Sequence, residues 1–341
     1  MRYLGELISL GVAFSWTVAA LASEVGSRRL GVFVMNVWRM SLALLLSALL
    51  LWLTLGAPYP VYASGTTWLW LLASGVVGYF FGDWCLFNSY LTIGSRMGQL
   101  FMTLAPMFTA FAAWVMIGQT LSWTALLAMG ITLCGIAISV LGRDEHHHVS
   151  LGLPLKGIIF GIGAGLGQGI GLVLSKIGLD HYEQDVTAMF NAQCSMFNEQ
   201  SSMFNEQSSM LNEQSSMFNA QCSMINVLPF ASNMIRCVAG LVCFSAWLIL
   251  SGHAGRMRDS LKERRGLLAM LIAVFSGPFI GVGFSLMAVQ YTAAGIASTI
   301  MAMTPIIILL PSRWLFHQPI TLRGVVGAVI SVVGVSLFFL L

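Results

Sequence analysis

From Leu4 to Leu341 the chain is a succession of apolar runs, each about the length that lets an α-helix cross a bilayer, roughly 20 residues. They lie near residues 4–23, 31–55, 67–90, 95–117, 122–141, 155–178, 229–251, 266–288, 293–316 and 321–341. Lipid offers no hydrogen bonds, so each run must satisfy its backbone within its own segment, and helices are expected throughout. Only 9% of the residues are charged and 57% are hydrophobic, against about 25% charged in a soluble domain. Lipid is therefore the main solvent, and a soluble enzyme with a single anchor is excluded. The first run follows Arg2 and has the outline of a signal peptide. No small-residue cleavage site opens a soluble domain after it, so it reads as a retained helix. A net charge of +3 is too small to indicate nucleic acid. The six cysteines show no paired spacing, and four of them fit helices as small apolar residues.

The chain also repeats itself at long range. A shift of 199 places Gly78, Gly82, Pro106, Gln119 and Gly135 on Gly277, Gly281, Pro305, Gln318 and Gly334 without a gap. Nearer the start of each half the shift is 152, where Gly5, Gly11, Ser23 and Gly26 meet Gly157, Gly163, Ser175 and Gly178. In the second span it is 197, where Asn36 and Arg39 meet Asn233 and Arg236. The jump from 152 to 197 places 45 extra residues between the sixth and seventh spans. The expected organisation is a first repeat at 1–142, a linker at 143–154 and a second repeat at 155–341, interrupted by a low-complexity insert at about 189–230. Five spans per half is an odd number, so the second half enters the membrane inverted. The expected fold class is an all-α integral membrane protein with ten transmembrane helices as two inverted five-helix repeats, a recurrent transporter plan.

The stretch "GSRMGQLFMTLAPMFTAFAAWVMIGQTLSW", followed by "LLAMGITLCGIAISVL", resembles the end of an EamA-type unit of the drug/metabolite transporter superfamily. "AAGIASTIMAMTPIIILLPSRWLFHQPITLRGVVGAVISVVGVSLFF" resembles the same unit a second time. The resemblance covers nearly the whole chain outside about 182–228. It implies ten helices around a central pocket that moves small metabolites, such as amino acids or related compounds, by alternating access. It implies a multi-pass protein of the cell membrane, usually a bacterial inner membrane, without an ATP-binding part or other cofactor. The expected partners are a small-molecule substrate, the lipid bilayer and coupling protons, with a homodimer as the assembly to test. The family usually has Gly-Glu after the fourth and ninth spans, where this chain has Gly118-Gln119 and His317-Gln318. If those positions serve as helix caps, Gln still hydrogen-bonds there.

Ionisable groups inside a span are expensive, so each is a functional candidate. Asp83 lies mid-span between Phe81 and Trp84. Burial penalises its charge, which suits proton coupling or amine binding; the alternative is an ion pair with Arg39 or Arg96 that holds helices together. Arg39 and its repeat mate Arg236 lie a few residues into their spans. They either serve structure, snorkelling to headgroups, or bind a substrate carboxylate. Trp16 and its mate Gln168, with Asn88, Gln99, Gln290 and Tyr291, offer stacking or polar contacts for a pocket, or simply interhelical hydrogen bonds. In the sixth span Gly157, Gly161, Gly165 and Gly169 recur every four residues, beside a second row at Gly163, Gly167 and Gly171. That spacing makes smooth ridges for close helix approach, not a phosphate loop, because no strand is expected before it and the G-x-G-x-x-G spacing fails. Pro106 and Pro305 each lack an N–H, and their matched positions suggest paired kinks.

"RDEHHHVS", Arg143 to Ser150, joins the halves; its three histidines read as a solvated loop rather than a metal site. Lys and Arg fall mostly in loops after odd-numbered spans, Arg28, Arg29, Arg96, Arg143 and Arg256 among them, which by the positive-inside rule puts both termini outside. The resemblance implies the reverse. No clustered nucleophile, metal-ligand set or acid pair marks an enzyme; the alternative to a carrier is a channel or a structural membrane protein. Finally, Met189, Met196, Met203, Met210, Met217 and Met224 mark six seven-residue units, from "MFNAQCS" to "MINVLPF". Adjacent Met and Phe do not give the a/d seam of a coiled coil, and Asn and Ser weaken helicity. The run reads as a tandem expansion, with an amphipathic surface segment as the alternative.

Overall fold

A computed structural model describes residues 3–118, 122–143, 149–151, 153–204, 207–252, 254–281, 284, 288, 300–317 and 321–340. Helices dominate them: α1 (Leu4–Leu30), α2 (Val32–Leu55), α3 (Gly65–Ser74), α4 (Trp84–Met102), α5 (Ala105–Ile117), α6 (Trp123–Val140), α7 (Leu155–Phe204), α8 (Gln207–Leu250), α9 (Gly255–Ser260) and α10 (Arg264–Val274), then Thr304–Ile307, Leu309–Phe316 and Leu322–Leu340. Among the described residues six helical segments are long and apolar enough to cross a membrane, and four shorter apolar helices accompany them. The sole strand pairing among the described residues is a two-stranded antiparallel hairpin, Leu141–Arg143 against Val149–Leu151, at the linker. His146, His147 and His148, between these strands in the sequence, lie outside the described residues.

Several expected boundaries shift. The first helix runs on past residue 23 to Leu30, where Gly31 (φ 82°) stops it. Arg28 and Arg29 are thus helical rather than loop residues, and Arg96 lies on α4. The fourth span begins where expected, at residue 95, but after a single-residue break and not a loop. Gly94 (φ 83°, ψ 158°) merely breaks α4, whose last turns restart at Ser95. Only Gly takes that conformation without a steric penalty.

Contacts recur at the offsets seen in the sequence. Two π-helical segments, Gly75–Asp83 and Phe275–Gly281, follow α3 and α10; residues 76–82 shifted by 199 are residues 275–281. Helix breaks at Thr103–Leu104 and Ala302–Met303 match in the same way, and so do the left-handed caps Gly118 and His317. Helix α6 pairs along its length with Leu322–Leu340, and the two approach so closely that side chains are excluded. A Cβ on Gly135 would lie 2.5 Å from Ser331 N and 2.7 Å from Gly327 O. A Cβ on its mate Gly334 would lie 2.6 Å from Thr132 N and 2.9 Å from Ala128 O; Thr132 and Ala128 are themselves the mates of Ser331 and Gly327. The first helix of each half also packs on the other half: α1 lies along α10 and its π segment, α7 along α3 and its π segment.

The glycine ridges of α7 explain its position. Gly161, Gly165 and Gly169 face Phe101, Leu104 and Phe108 at the junction of α4 and α5, while Gly167 and Gly171 press on Gly82 and Gly78 of the first π segment. Each row serves a different neighbour, and added Cβ atoms would come as close as 2.6 Å to Phe101 and 2.7 Å to Gly78.

The seven-residue repeat takes a different form from a weakly helical insert. Helix α7 continues into it for a total of 50 residues, about 75 Å at 1.5 Å per residue, and α8 emerges from it with 44 residues. Extending an existing helix avoids the costly nucleation step, and no Gly or Pro interrupts the units until Pro229. The base of this hairpin is packed rather than passive. Tyr182, Val186, Met224, Leu228 and Ala231 are buried together with Leu51. Tyr182 Oη donates to Val61 O at 2.8 Å, while Asp185 Oδ2 accepts from Ser64 N at 2.9 Å and Thr67 Oγ1 at 2.7 Å. These bonds tie α7 to the loop that starts α3.

Two predictions test this packing. Gly135→Ala or Gly334→Ala should destabilise the purified protein by about 1–3 kcal/mol, the usual cost of overpacking. Gly130→Ala, with nothing within 4 Å of its new methyl, should leave the thermal midpoint unchanged or raise it. Excising Met196 to Ser216, which spares the packed base, should leave the thermal midpoint and monodispersity of the protein intact; excision that also removes Met224 and Leu228 should lower the midpoint.

Candidate functional site

Three of the residues singled out in the sequence meet inside the bundle. Arg39 reaches from α2 and Asp83 ends the first π segment; their Nη2 and Oδ2 atoms form an ion pair. Gln168 on α7 donates from Nε2 to Asp83 Oδ1 at 2.9 Å and to Gly78 O at 3.2 Å. The Asp83 side chain is only 5% exposed and that of Arg39 14%, so Arg39 turns inward and does not snorkel. Its guanidinium also stacks over the Phe87 ring at 4.9 Å. The carboxylate thus has both oxygens engaged, as a buried charge requires.

Arg236 joins the cluster by another route. Its guanidinium lies 4.4 Å above the ring of Tyr79, on the same π segment as Asp83. Tyr79 Oη in turn donates to Asn233 Oδ1, one turn before Arg236 on α8. Arg236 interacts electrostatically with Asp83, yet its own described neighbours supply no ion pair. The Nε atoms of both arginines are buried without a hydrogen-bond partner among the described residues.

The remaining candidates scatter. Asn88 Nδ2 bonds back to Trp84 O at 2.7 Å within its helix, and Gln99 Nε2 bonds Tyr90 Oη at 2.7 Å. Trp16 packs with Ile8, Val12, Ala288 and Met301, and its indole crowds the α-carbon of Gly281. That is the position Gln168 takes against Gly82, so the repeat mates occupy equivalent places with different chemistry. Pro106 and Pro305 each stand in the first turn of a helix that follows a break, which is where a missing N–H costs nothing; they start helices instead of kinking them mid-way. Gln290, Tyr291, Gln119 and Gln318 lie outside the described residues. No group of three His, Cys, Asp or Glu converges among the described residues. A cleft of about 170 Å³ opens elsewhere, at the turn between α1 and α2, lined by Leu30, Phe33, Trp247 and Arg256 among others.

Two participants escaped the sequence reading. Tyr79 is invisible there because nothing marks an aromatic residue in an apolar span. Glu24 fell one residue beyond the expected first span, yet it is fully buried. Its Oε1 holds Arg28 at 2.8 Å and its Oε2 accepts the Ser95 N–H at 2.7 Å. It therefore caps the helix that restarts after Gly94, where anions are favoured. The i, i+4 spacing of Glu24 and Arg28 was the available signal.

The sequence profile of the EamA-like transporter family matches residues 3–141 and again residues 216–340. The chain belongs to the EamA-like transporter family. This EamA-like chain is accordingly a multi-pass membrane protein of a transporter type that is not enzymatic in general. The second match begins within the seven-residue repeat and leaves residues 142–215 uncovered. No curated protein matches. Thirteen chains of solved structures do. One, titled only "Crystal structure of protein", is 14% identical, with 99% of this chain and 96% of that chain covered and a TM-score of 0.53; at that identity the likeness concerns fold alone.

The ion pair gives a sharp test. Asp83→Leu strands a buried guanidinium and should cost about 3–5 kcal/mol, whereas Asp83→Leu combined with Arg39→Met should recover most of the loss. The unfolding midpoints of the purified single and double variants decide it.

Proposed function

We propose that this EamA-like protein is a secondary transporter that exports small metabolites, such as amino acids or related compounds, across a bacterial inner membrane by alternating access. In this reading the ten apolar segments form two five-helix halves, the second inverted, with the second half starting at α7 and interrupted by the repeat. The observation that carries it is the buried polar cluster of Arg39, Asp83, Gln168 and Arg236, on helices drawn from both sides of the long-range repeat. Ionisable groups held inside a bundle at such cost mark substrate or ion pathways. Supporting it, the contacts of Gly135 and Gly334 are exchanged between the halves, and α1 and α7 each pack on the opposite one. The matched π segments provide hinges, since π turns recur at functional positions in helices. The smooth glycine faces of α7 let the first π segment slide or bend against it without displacing side chains. Asp83, held between Arg39 and Gln168, is the group that would exchange a proton during the cycle.

Counterflow tests this directly. Proteoliposomes loaded with pooled amino acids should accumulate trace labelled members of the pool with saturable rates that respond to an imposed proton gradient. Asp83→Asn should slow exchange by about tenfold or more, on the order of a lost charged hydrogen bond, in protein that inserts normally. Flux that rises linearly with concentration would mark a channel, and absence of flux for every pooled compound would defeat the carrier reading.

A further inference from the structure

We propose that Arg236 is the docking point for a carboxylate of the transported molecule, so that the site takes a small monoanionic group; this deepens the transporter reading and rests on it. The charge count in the cluster is uneven: two guanidiniums face one carboxylate among the described residues. A guanidinium keeps its charge at any physiological pH, so Arg236 cannot escape its burial by losing a proton. Arg236 lies nine residues inside the apolar segment Val227–Leu250, about 14 Å along the helix, too deep for its charge to be ignored.

Asp83 does not meet this need. One of its oxygens is taken by Arg39 and the other by Gln168. The repeat shows what is missing. Arg39 and Arg236 are mates, and Arg39 is neutralised by Asp83. The mate of Asp83, 199 residues on, is Val282. The second half thus has the cation without the internal acid, and an incoming carboxylate takes toward Arg236 the role that Asp83 takes toward Arg39. The surroundings prepare the cation for it. The Tyr79 ring covers one face of the guanidinium at 4.4 Å, while the Tyr79 hydroxyl is turned away to Asn233 and does not compete. The buried Nε of Arg236 lacks a partner among the described residues, and a guanidinium offers the fork that carboxylates accept in pairs. One excess positive charge is balanced by one negative charge, which favours a carboxylate over a phosphate dianion.

The full-length protein in detergent should be titrated with acetate, benzoate, phenylacetate and indole-3-acetate, each beside its amide, and with phenyl phosphate. At least one carboxylate should raise the unfolding midpoint and bind about tenfold or more tightly than its amide. Arg236→Gln should erase that preference, and Arg236→Lys, which keeps the charge but not the fork, should retain part of it; the Lys variant also controls for folding. Amides that bind as well as acids, a preference that survives Arg236→Gln, tighter binding of phenyl phosphate, or no acid bound at all would each overturn the proposal. Counterflow separates the two readings. Exchange of a neutral or cationic compound that is unaffected by Arg236→Gln leaves the carrier standing and removes the carboxylate site. Discriminating carboxylate binding without exchange does the opposite.

Discussion

The ion pair between Arg39 and Asp83 is the interaction on which the arrangement of the first half depends. Neither charge is tolerable in lipid alone, so α2 and the π segment must meet, and Gln168 must bring α7 to the remaining carboxylate oxygen. Three spans are fixed by one acid. The same π segment then presents Tyr79 to Arg236, which connects α8 to the cluster. The π geometry matters here because its extra residue per turn widens the helix where both arginines approach.

Such an arrangement needs helices that approach closely, and glycine provides it. Between apolar helices in lipid there is little hydrophobic drive, so packing and hydrogen bonds hold the bundle. Gly78 and Gly82 against Gly167 and Gly171, and Gly135 and Gly327 against Ser331 and Ser139, bring backbones within reach of one another. A buried polar network and bare backbone faces are complementary: the first fixes which helices meet, the second lets them meet closely enough.

The repeat between α7 and α8 sits outside this economy. Its helices lengthen a hairpin whose base, from Tyr182 to Met224, is tied into the bundle by Leu51, Val61 and Ser64. The boundary between passenger and structure is therefore set by burial, not by where the units begin and end. Met196 and Met224 both head seven-residue units, yet Met224 is buried at 5% exposure while Met196 is 61% exposed.

The apolar runs and the scarcity of charge determined by themselves that the chain is helical and membrane-embedded, because continuous apolar runs of about 20 residues in lipid satisfy their backbone hydrogen bonds as helices. The long-range offsets of 199, 152 and 197 likewise exposed the internal duplication, and a charge at Asp83 in an apolar span was costly enough to be conspicuous. Tertiary structure decided everything that depends on which helices touch. It turned Arg39 inward, gave Asn88 and Gln99 to local bonds, and brought in Tyr79 and Glu24, whose roles rest on partners 71 to 157 positions away, Ser95 and Arg236 among them. It also made the repeat helical, against its weak intrinsic preference, because the helices on either side supply the nucleus. Periodicity reports a residue's solvent; only packing reports its partner.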